Sequence, residues 1–551
     1  VHHARAERGG ADSREVRCVR EGGIPWAALS GLVLGSFLAV LDASIVNVAL
    51  PRLMAIFGVT PDHIQWVMTA YLLASGAVVP VTGYLADRFG GKRIYLWTLV
   101  AFVLGSLLCA FSWSANALIG FRVLQAIGGG ALVPVGMSII FRITPRAHIG
   151  TTLGVFGLSM AAAPAIGPTL GGYLVDYFDW PLIFLINLPV GFLALLVCSA
   201  TLEEQPHDPR LRFDVPGFFL GTTGCVLLLL ALSEGQSKGW TSYYIVMLLT
   251  SSAFLLVLFA LWELIAPAPM LDVRLMRNPV FAASLVGGSL SFVGLFAGVY
   301  LIPLLTQAVM GYSPMQTGLI LMPAALVMGF LGPVAGRLFD RVGALPLGLL
   351  GLSILAVTTY ELRNVTLDTS FHQLQFLLAV RGVGLGLSMM PIATAGMNAL
   401  PPQLSAQASA FTTVVRNIAA SMGIAYLTHV VMDRQAHHLV WLRESLSLAN
   451  PATAGVWQQI QTWFAFHYGA AVGSAAPAAV VSQRVAQAAA VAAIQDAFIV
   501  ATWLVVAGLP FVLALGKRRM EAARRAELGR LGLAGGPAGP GPGAPRPHLE
   551  A

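Results

Sequence analysis

The chain has 551 residues, 57% of them apolar and only 10% charged, with a formal net charge of +7 and a mean hydropathy of +0.76. Soluble domains carry about 25% charged side chains, so an ordinary water-soluble fold is excluded and lipid must solvate much of the surface. Cys18, Cys109, Cys198 and Cys225 form no closely spaced pair, which gives neither a disulfide framework nor a metal cluster. The basic residues are scattered over short loops and tails, a distribution that fits membrane topology better than nucleic acid.

Residues 1–24 form a polar, arginine-bearing tail, expected on the cytoplasmic side, and the apolar run behind it is too long for the core of a cleavable signal. A membrane helix needs roughly 20 apolar residues. That rule predicts six spans in a first half (25–200), near 25–50, 64–85, 94–112, 116–141, 150–174 and 181–200. A linker (201–280) carries two more, near 214–233 and 243–262. The second half (281–515) adds spans near 281–308, 315–336, 345–361, 372–398, 406–431 and 494–515. Its segment 433–493 lies outside the membrane, and the alanine-rich run from Ser482 extends the last span outward. Residues 516–551 are expected as a disordered cytoplasmic tail, Gly/Pro-rich after Leu533. The fold class is an all-α polytopic membrane protein with fourteen transmembrane helices. Lysine and arginine bias, 23 on one side against 6 on the other, puts both termini in the cytoplasm.

The chain echoes itself. GYLADRFGGKR (Gly83–Arg93) returns as GRLFDRVG (Gly336–Gly343) after 253 residues, and Arg122 and Arg381 lie 259 apart in similar glycine-rich helices. Near-constant spacing implies two related six-helix halves around a midplane cavity, a layout recurrent among transporters.

Polar residues inside spans are costly and mark candidate sites. LDASIVNVALP (Leu41–Pro51) places Asp42 and Asn47 in the first span, and Arg122 lies about six residues into the fourth, followed by Gln125. Arg122 would favour the charged form of a nearby carboxylate, which makes Asp42 and Arg122 candidate partners in proton coupling, although a structural role for either stays open. Asp87, Arg88 and Arg93, echoed by Asp340 and Arg341, are candidates for a charge network that gates one conformation. An ordinary basic inner loop is the alternative. Gly167, Pro168, Gly171 and Gly172 in the fifth span strip away side-chain bulk and introduce a bend, as a close helix contact between moving parts requires. Asn47, Gln65, Tyr71, Gln125, Phe292, Phe296, Tyr300, Gln307 and Arg381 are candidate walls of a substrate cavity. Packing is the competing role for the aromatics among them. Arg416 and Asn417 divide evenly between packing and function. His429, His437 and His438 have no carboxylate in ligand-like register, so no metal is expected. GFFLGTTG (Gly217–Gly224) lacks the lysine and Ser/Thr of a phosphate loop. Uphill work would therefore draw on an ion gradient, with no cofactor and no enzymatic step.

LDASIVNVALP, GYLADRFGGKR, FRVLQAIGGGALVP and GLSMAAAPAIGPTLGGYL, in that order, resemble the major facilitator superfamily, and within it the fourteen-helix drug:proton antiporters of the EmrB/QacA type. The resemblance covers roughly residues 25–515. Ser44 stands where the family has threonine, and Gly91 where a basic residue is common. The resemblance implies proton-coupled export of hydrophobic or amphiphilic small molecules from a bacterial inner membrane. It assigns proton coupling to Arg122 and an antiporter motif to Gly167, Pro168, Gly171 and Gly172. The long outer segment is similar to EmrB-type proteins, which implies a periplasmic adaptor and an outer-membrane channel as partners, beside membrane lipid. Two alternatives remain: a dedicated exporter of a fatty acid, siderophore or biosynthetic product, and a receptor or assembly protein that transports nothing.

Overall fold

The computed structural model describes residues 24–145, 148–204, 207–211, 213–266, 269–401, 404–445, 451–468 and 470–530. The N-terminal arginines, Arg146, Arg212 and residues 531–551 lie outside the described residues. Among the described residues every regular element is helical. The first six long helices are α1 (Trp26–Phe57), α2 (Pro61–Phe89), α3 (Gly91–Ala110), α4 (Ala115–Ile143), α5 (Ile149–Tyr177) and α6 (Asn187–Thr201), the last preceded by a single turn, Leu182–Leu185. The inserted pair is α7 (Val215–Lys238) and α8 (Tyr243–Ile265). Then follow α9 (Pro279–Pro303), α10 (Pro314–Val342), α11 (Ala344–Glu361), α12 (Phe371–Asn398), α13 (Ser405–Ser445), α14 (Pro451–Tyr468), α15 (Ala470–Val506) and α16 (Lys517–Arg530). Among the described residues, thirteen spans are long and apolar enough to cross a membrane. The fourteenth is α5, bent by 42° between Ile149–Pro164 and Thr169–Val175. The break holds Gly167 and Pro168, and a proline inside a helix removes a backbone donor and kinks it. The chain is a multi-pass membrane protein.

The sequence echo is also an echo of backbone. Gly90, between α2 and α3, and Gly343, between α10 and α11, are 253 residues apart and hold φ of 94° and 88°. Only glycine adopts that region freely. Each ends one helix and starts the next with no intervening loop.

Helices without a hydrophobic drive in lipid associate by close packing, so small residues mark the contacts. In the seam between α5 and α10, a side chain on Gly154 would strike the Gly332 carbonyl, and one on Gly336 the Gly150 carbonyl. α5 also lies on α1, where Gly167 faces Ser44 and Gly171 faces Ile45. A second seam joins α13 to the first half: Ser409 Oγ donates to the Pro134 carbonyl at 2.8 Å, and Gly83 faces the backbone of Ala406. The inserted pair leans on α2 and α13. Thr222 Oγ1 donates to the Ala77 carbonyl at 3.4 Å, and Phe259 and Leu271 pack with Ala410.

Two segments differ from expectation. The outer segment is helical over all its described length: α13 has 41 residues and α15 has 37. At 1.5 Å per residue each is far longer than a hydrocarbon core about 30 Å thick, so both continue beyond it, with α14 between them. The tail expected without structure from residue 516 instead begins with α16, fourteen residues of KRRMEAARRAELGR, whose alanine, glutamate and arginine content favours helix despite its charge. Lys517 Nζ ties it back by donating to the Arg341 carbonyl at 2.6 Å.

Candidate functional site

The first-half core holds a polar cluster with no exposed surface: Asp42, Ser106, Arg122, Gln125 and Asn187, from α1, α3, α4 and α6. Asp42 Oδ2 accepts from Arg122 Nη1 at 2.5 Å. Its Oδ1 accepts from Gln125 Nε2 and Asn187 Nδ2, each at 2.9 Å. Ser106 Oγ receives those same two amides at 3.0 and 2.9 Å and donates to the Phe184 carbonyl at 3.0 Å. Arg122 also donates to Gln125 Oε1 at 2.7 Å and through Nε to the Val67 carbonyl at 3.3 Å. The Tyr71 ring lies against its guanidinium, 4.0 Å from centroid to Cζ, within the range of an attractive cation–ring contact. Cys109 Sγ reaches Gln125 Oε1 at 3.6 Å.

Burying two charges is costly unless they pair and their remaining valences are filled. The cluster nearly fills them. Arg122 Nη2 and Asn187 Oδ1 alone among its side-chain atoms are buried without a partner among the described residues. Asn187 Oδ1 is thus a spare acceptor on an amide whose Nδ2 already touches the carboxylate. Rotation of that amide would offer oxygen in place of N–H, the partner a protonated Asp42 requires.

The loop residues form a second layer at the end of the bundle that carries Gly90. Asp87 Oδ1 pairs with Arg142 Nη2 at 2.5 Å, and Arg142 Nε donates to Ser405 Oγ at 3.3 Å, linking α2 and α4 to α13. Asp340 Oδ1 lies against Gly150, so a carboxylate of α10 sits at the N-terminus of α5, where the helix dipole favours an anion. Asp340 thus bridges the halves directly, and Asp87 does so only through Arg142, which reaches α13. Arg88 donates to Tyr84 Oη and the Leu211 carbonyl at 2.5 and 2.6 Å, and Arg93 Nε lies 3.4 Å from Glu204 Oε2. Arg341 is exposed and contributes its carbonyl to Lys517. In a variant with Cys18→Ser, we expect Asp340→Ala to raise labelling of a cysteine at position 405 by a charged thiol reagent several-fold. Unchanged labelling would show that Asp340 does not help hold the two halves together.

Other predicted site residues are dispersed. Gln125 and Tyr71 belong to the Asp42 cluster and not to an open cavity wall. Asn47 is exposed and donates to its own helix at the Ala43 carbonyl, 3.4 Å away, one and a half turns from Asp42 and outside its network. Gln65 and Gln307 are exposed; Gln307 lies in a π-helical turn, Leu304–Val309, that ends α9. Phe292 and Phe296 pack at 5.0 Å, and Tyr300 is half-buried. Arg381 does not line open space. It is 3% exposed and donates to the Gly294 carbonyl and, at 3.5 Å, to Thr359 Oγ1, which joins α12 to α9 and α11. Gly167, Gly171 and Gly172 are buried on α5, and the side chain of Pro168 lies outside the described residues.

Ser106, Asn187, Arg142 and Ser405 escaped the sequence reading. Asn187 had a usable signal, an amide within the apolar run PLIFLINLPV. Ser106 had none, since serine in a membrane helix satisfies itself on its own backbone as readily as on a partner.

Residues 32–424 match the profile of the Major Facilitator Superfamily. The chain is 32% identical over 511 residues to an uncharacterized MFS-type transporter, YhcA, of Bacillus subtilis, covering 92% of this chain and 96% of that protein. It is 31% identical over 434 residues to the multidrug export protein EmrB of Escherichia coli K12, covering 78% and 85%. It is 32% identical over 429 residues to a multidrug resistance protein B homolog of Mycobacterium tuberculosis, covering 77% and 79%. Among solved structures, the proton:xylose symporter XylE superposes with a TM-score of 0.58 at 12% identity, covering 91% and 98%, which speaks to fold alone. With its two echoed halves, inserted helix pair and buried charge cluster, the chain belongs to the Major Facilitator Superfamily, in the EmrB-like group of transporters.

Proposed function

We propose that the protein exports hydrophobic or amphiphilic small molecules across a bacterial inner membrane, driven by inward flow of protons. The basic end of the bundle, with Asp87, Arg142 and Asp340, is then cytoplasmic, as are both termini. The names borne by the EmrB relatives support export of drug-like compounds. The observation that carries proton coupling is the fully buried Asp42–Arg122 pair and its amide shell. A proton on Asp42 would cancel the charge that holds Arg122, Gln125 and Asn187 together, and would loosen α1 from α4 and α6. α1 is the helix against which α5 packs, and α5 forms the seam with α10, so a change at Asp42 has a short path to the interface between the halves. The proton gradient is the energy source, and no cofactor takes part. α13, α14 and α15 reach outward far enough to meet a periplasmic adaptor that passes the compound to an outer-membrane channel.

An efflux-deficient host expressing the chain is expected to gain resistance to unrelated lipophilic compounds and to lose it on addition of an uncoupler. Protection confined to one metabolite, without competition by unrelated compounds, would turn the reading to a dedicated exporter. Binding without movement in proteoliposomes would overturn transport altogether.

A further inference from the structure

A second buried polar cluster lies at the base of the inserted pair, apart from Asp42. Glu263, near the end of α8, has no exposed surface, and Asp214, the N-cap of α7, is 8% exposed. Asp214 Oδ1 accepts from the Gly217 N–H at 2.9 Å and from the Trp262 indole at 2.7 Å. Glu263 Oε1 accepts from the Leu271 N–H at 3.3 Å. Each carboxylate keeps its other oxygen, Asp214 Oδ2 and Glu263 Oε2, buried with no partner among the described residues. The two groups flank one glycine: a side chain on Gly217 would run into Asp214 Oδ2 and come within 3.0 Å of Glu263 Oε1.

Two carboxylates this close and this dry repel each other when both are ionised, and such pairs hold a proton between them. Asp214 is the better place for the remaining charge. It caps the positive end of α7 and has two N–H donors on one oxygen. Glu263 stands at the negative end of α8, where an anion is disfavoured. Among the described residues the surrounding charges offer Glu263 no cation. Asp272 adds negative charge, and Arg274 Nη2 is turned to the Leu264 carbonyl at 2.8 Å. On α2, Arg88 is held by Tyr84 and the Leu211 carbonyl, while α13 presents apolar Ala410 and Phe411. A metal ion is a poor occupant, because the groups facing the carboxylates are N–H donors and no metal-holding group of three His, Cys, Asp or Glu occurs among the described residues.

We propose that Asp214 and Glu263 form a second proton-binding site, with the proton on Glu263, and that its occupancy sets the grip of the inserted pair on the connection between the halves. That connection is the Met270–Leu271 turn. Met270 packs with Val81 and Tyr84 of α2, and Leu271 packs with Phe259 and Ala410 of α8 and α13. An ionised Glu263 binds the Leu271 amide more strongly than a neutral one, so proton uptake loosens the turn where α2 meets α13.

Infrared difference spectra of the purified full-length protein, without substrate, read the site directly over about pH 5 to 9. The wild type is expected to show a protonated-carboxyl band at neutral pH that is lost in Glu263→Gln and kept in Asp42→Asn. In Asp214→Asn, which preserves the helix cap, the band should titrate at lower pH because one negative neighbour is gone. Superimposable spectra of wild type and Glu263→Gln would overturn the proposal. So would an unshifted titration in Asp214→Asn, which decides the matter even if Glu263→Gln fails to fold. No transport is measured, so this result and the export reading stand or fall separately.

Discussion

Arg122→Ala is expected to destabilise the folded protein by about 3–5 kcal/mol and to abolish substrate-driven proton movement. The guanidinium faces Asp42, Gln125, the Val67 carbonyl and the Tyr71 ring at once, and nothing else in the cluster carries positive charge. Its removal strands the Asp42 carboxylate in a site with no exposed surface. Arg122→Lys should fail in transport as well, since a single ammonium cannot span the Nη1 and Nε contacts that the planar fork makes together. The double variant Asp42→Asn with Arg122→Gln removes both charges, and most of the lost stability should return because no uncompensated ion is left. Transport should not return. Thermal unfolding in detergent across this set of variants separates the two roles, and recovery of transport in the double variant would take Asp42 and Arg122 out of the coupling mechanism.

Gly154→Val is the second large expected effect. α5 and α10 approach backbone to backbone, and a branched side chain at position 154 would occupy the space of the Gly332 carbonyl and the Pro333 nitrogen. Neither can step aside, as a flexible side chain would. Overpacking of this kind costs about 1–3 kcal/mol or more, and because the contact joins the two halves, transport should fall by more than about tenfold. Gly120→Ala is the matched control: nothing lies within 4 Å of a side chain there, and replacing a mid-helix glycine should stabilise by about 0.5–1 kcal/mol. If Gly154→Val transports normally, the α5–α10 seam is not where the halves move.

The sequence disclosed the architecture well and the site by halves. Spans were legible because lipid demands long apolar runs whatever their neighbours. The echoed loops were legible because the same backbone turn, at Gly90 and Gly343, needs the same residue. Asp42 and Arg122 stood out as charges in hydrocarbon, but their partners did not. Ser106 and Asn187 are defined by helix rotation and depth, which a single span does not encode. Arg381 illustrates the opposite error. Its sequence setting matches that of Arg122, yet it meets backbone and hydroxyl oxygens in place of a carboxylate, so the same residue type reads as a helix tie. Asp214 and Glu263 lay at helix ends, where acidic residues are ordinary, and only burial set them apart.

The most direct test of the coupling mechanism is substrate-driven proton release from proteoliposomes containing wild-type protein or Asp42→Asn. Asparagine keeps an oxygen for Arg122 and nearly the same shape but leaves the buried guanidinium without its counter-ion, so the variant is expected to lose stability, and its folding and compound binding are established before the comparison. Addition of substrate is expected to drive proton movement in the wild type and none in Asp42→Asn. Equal proton movement in both would contradict the coupling mechanism.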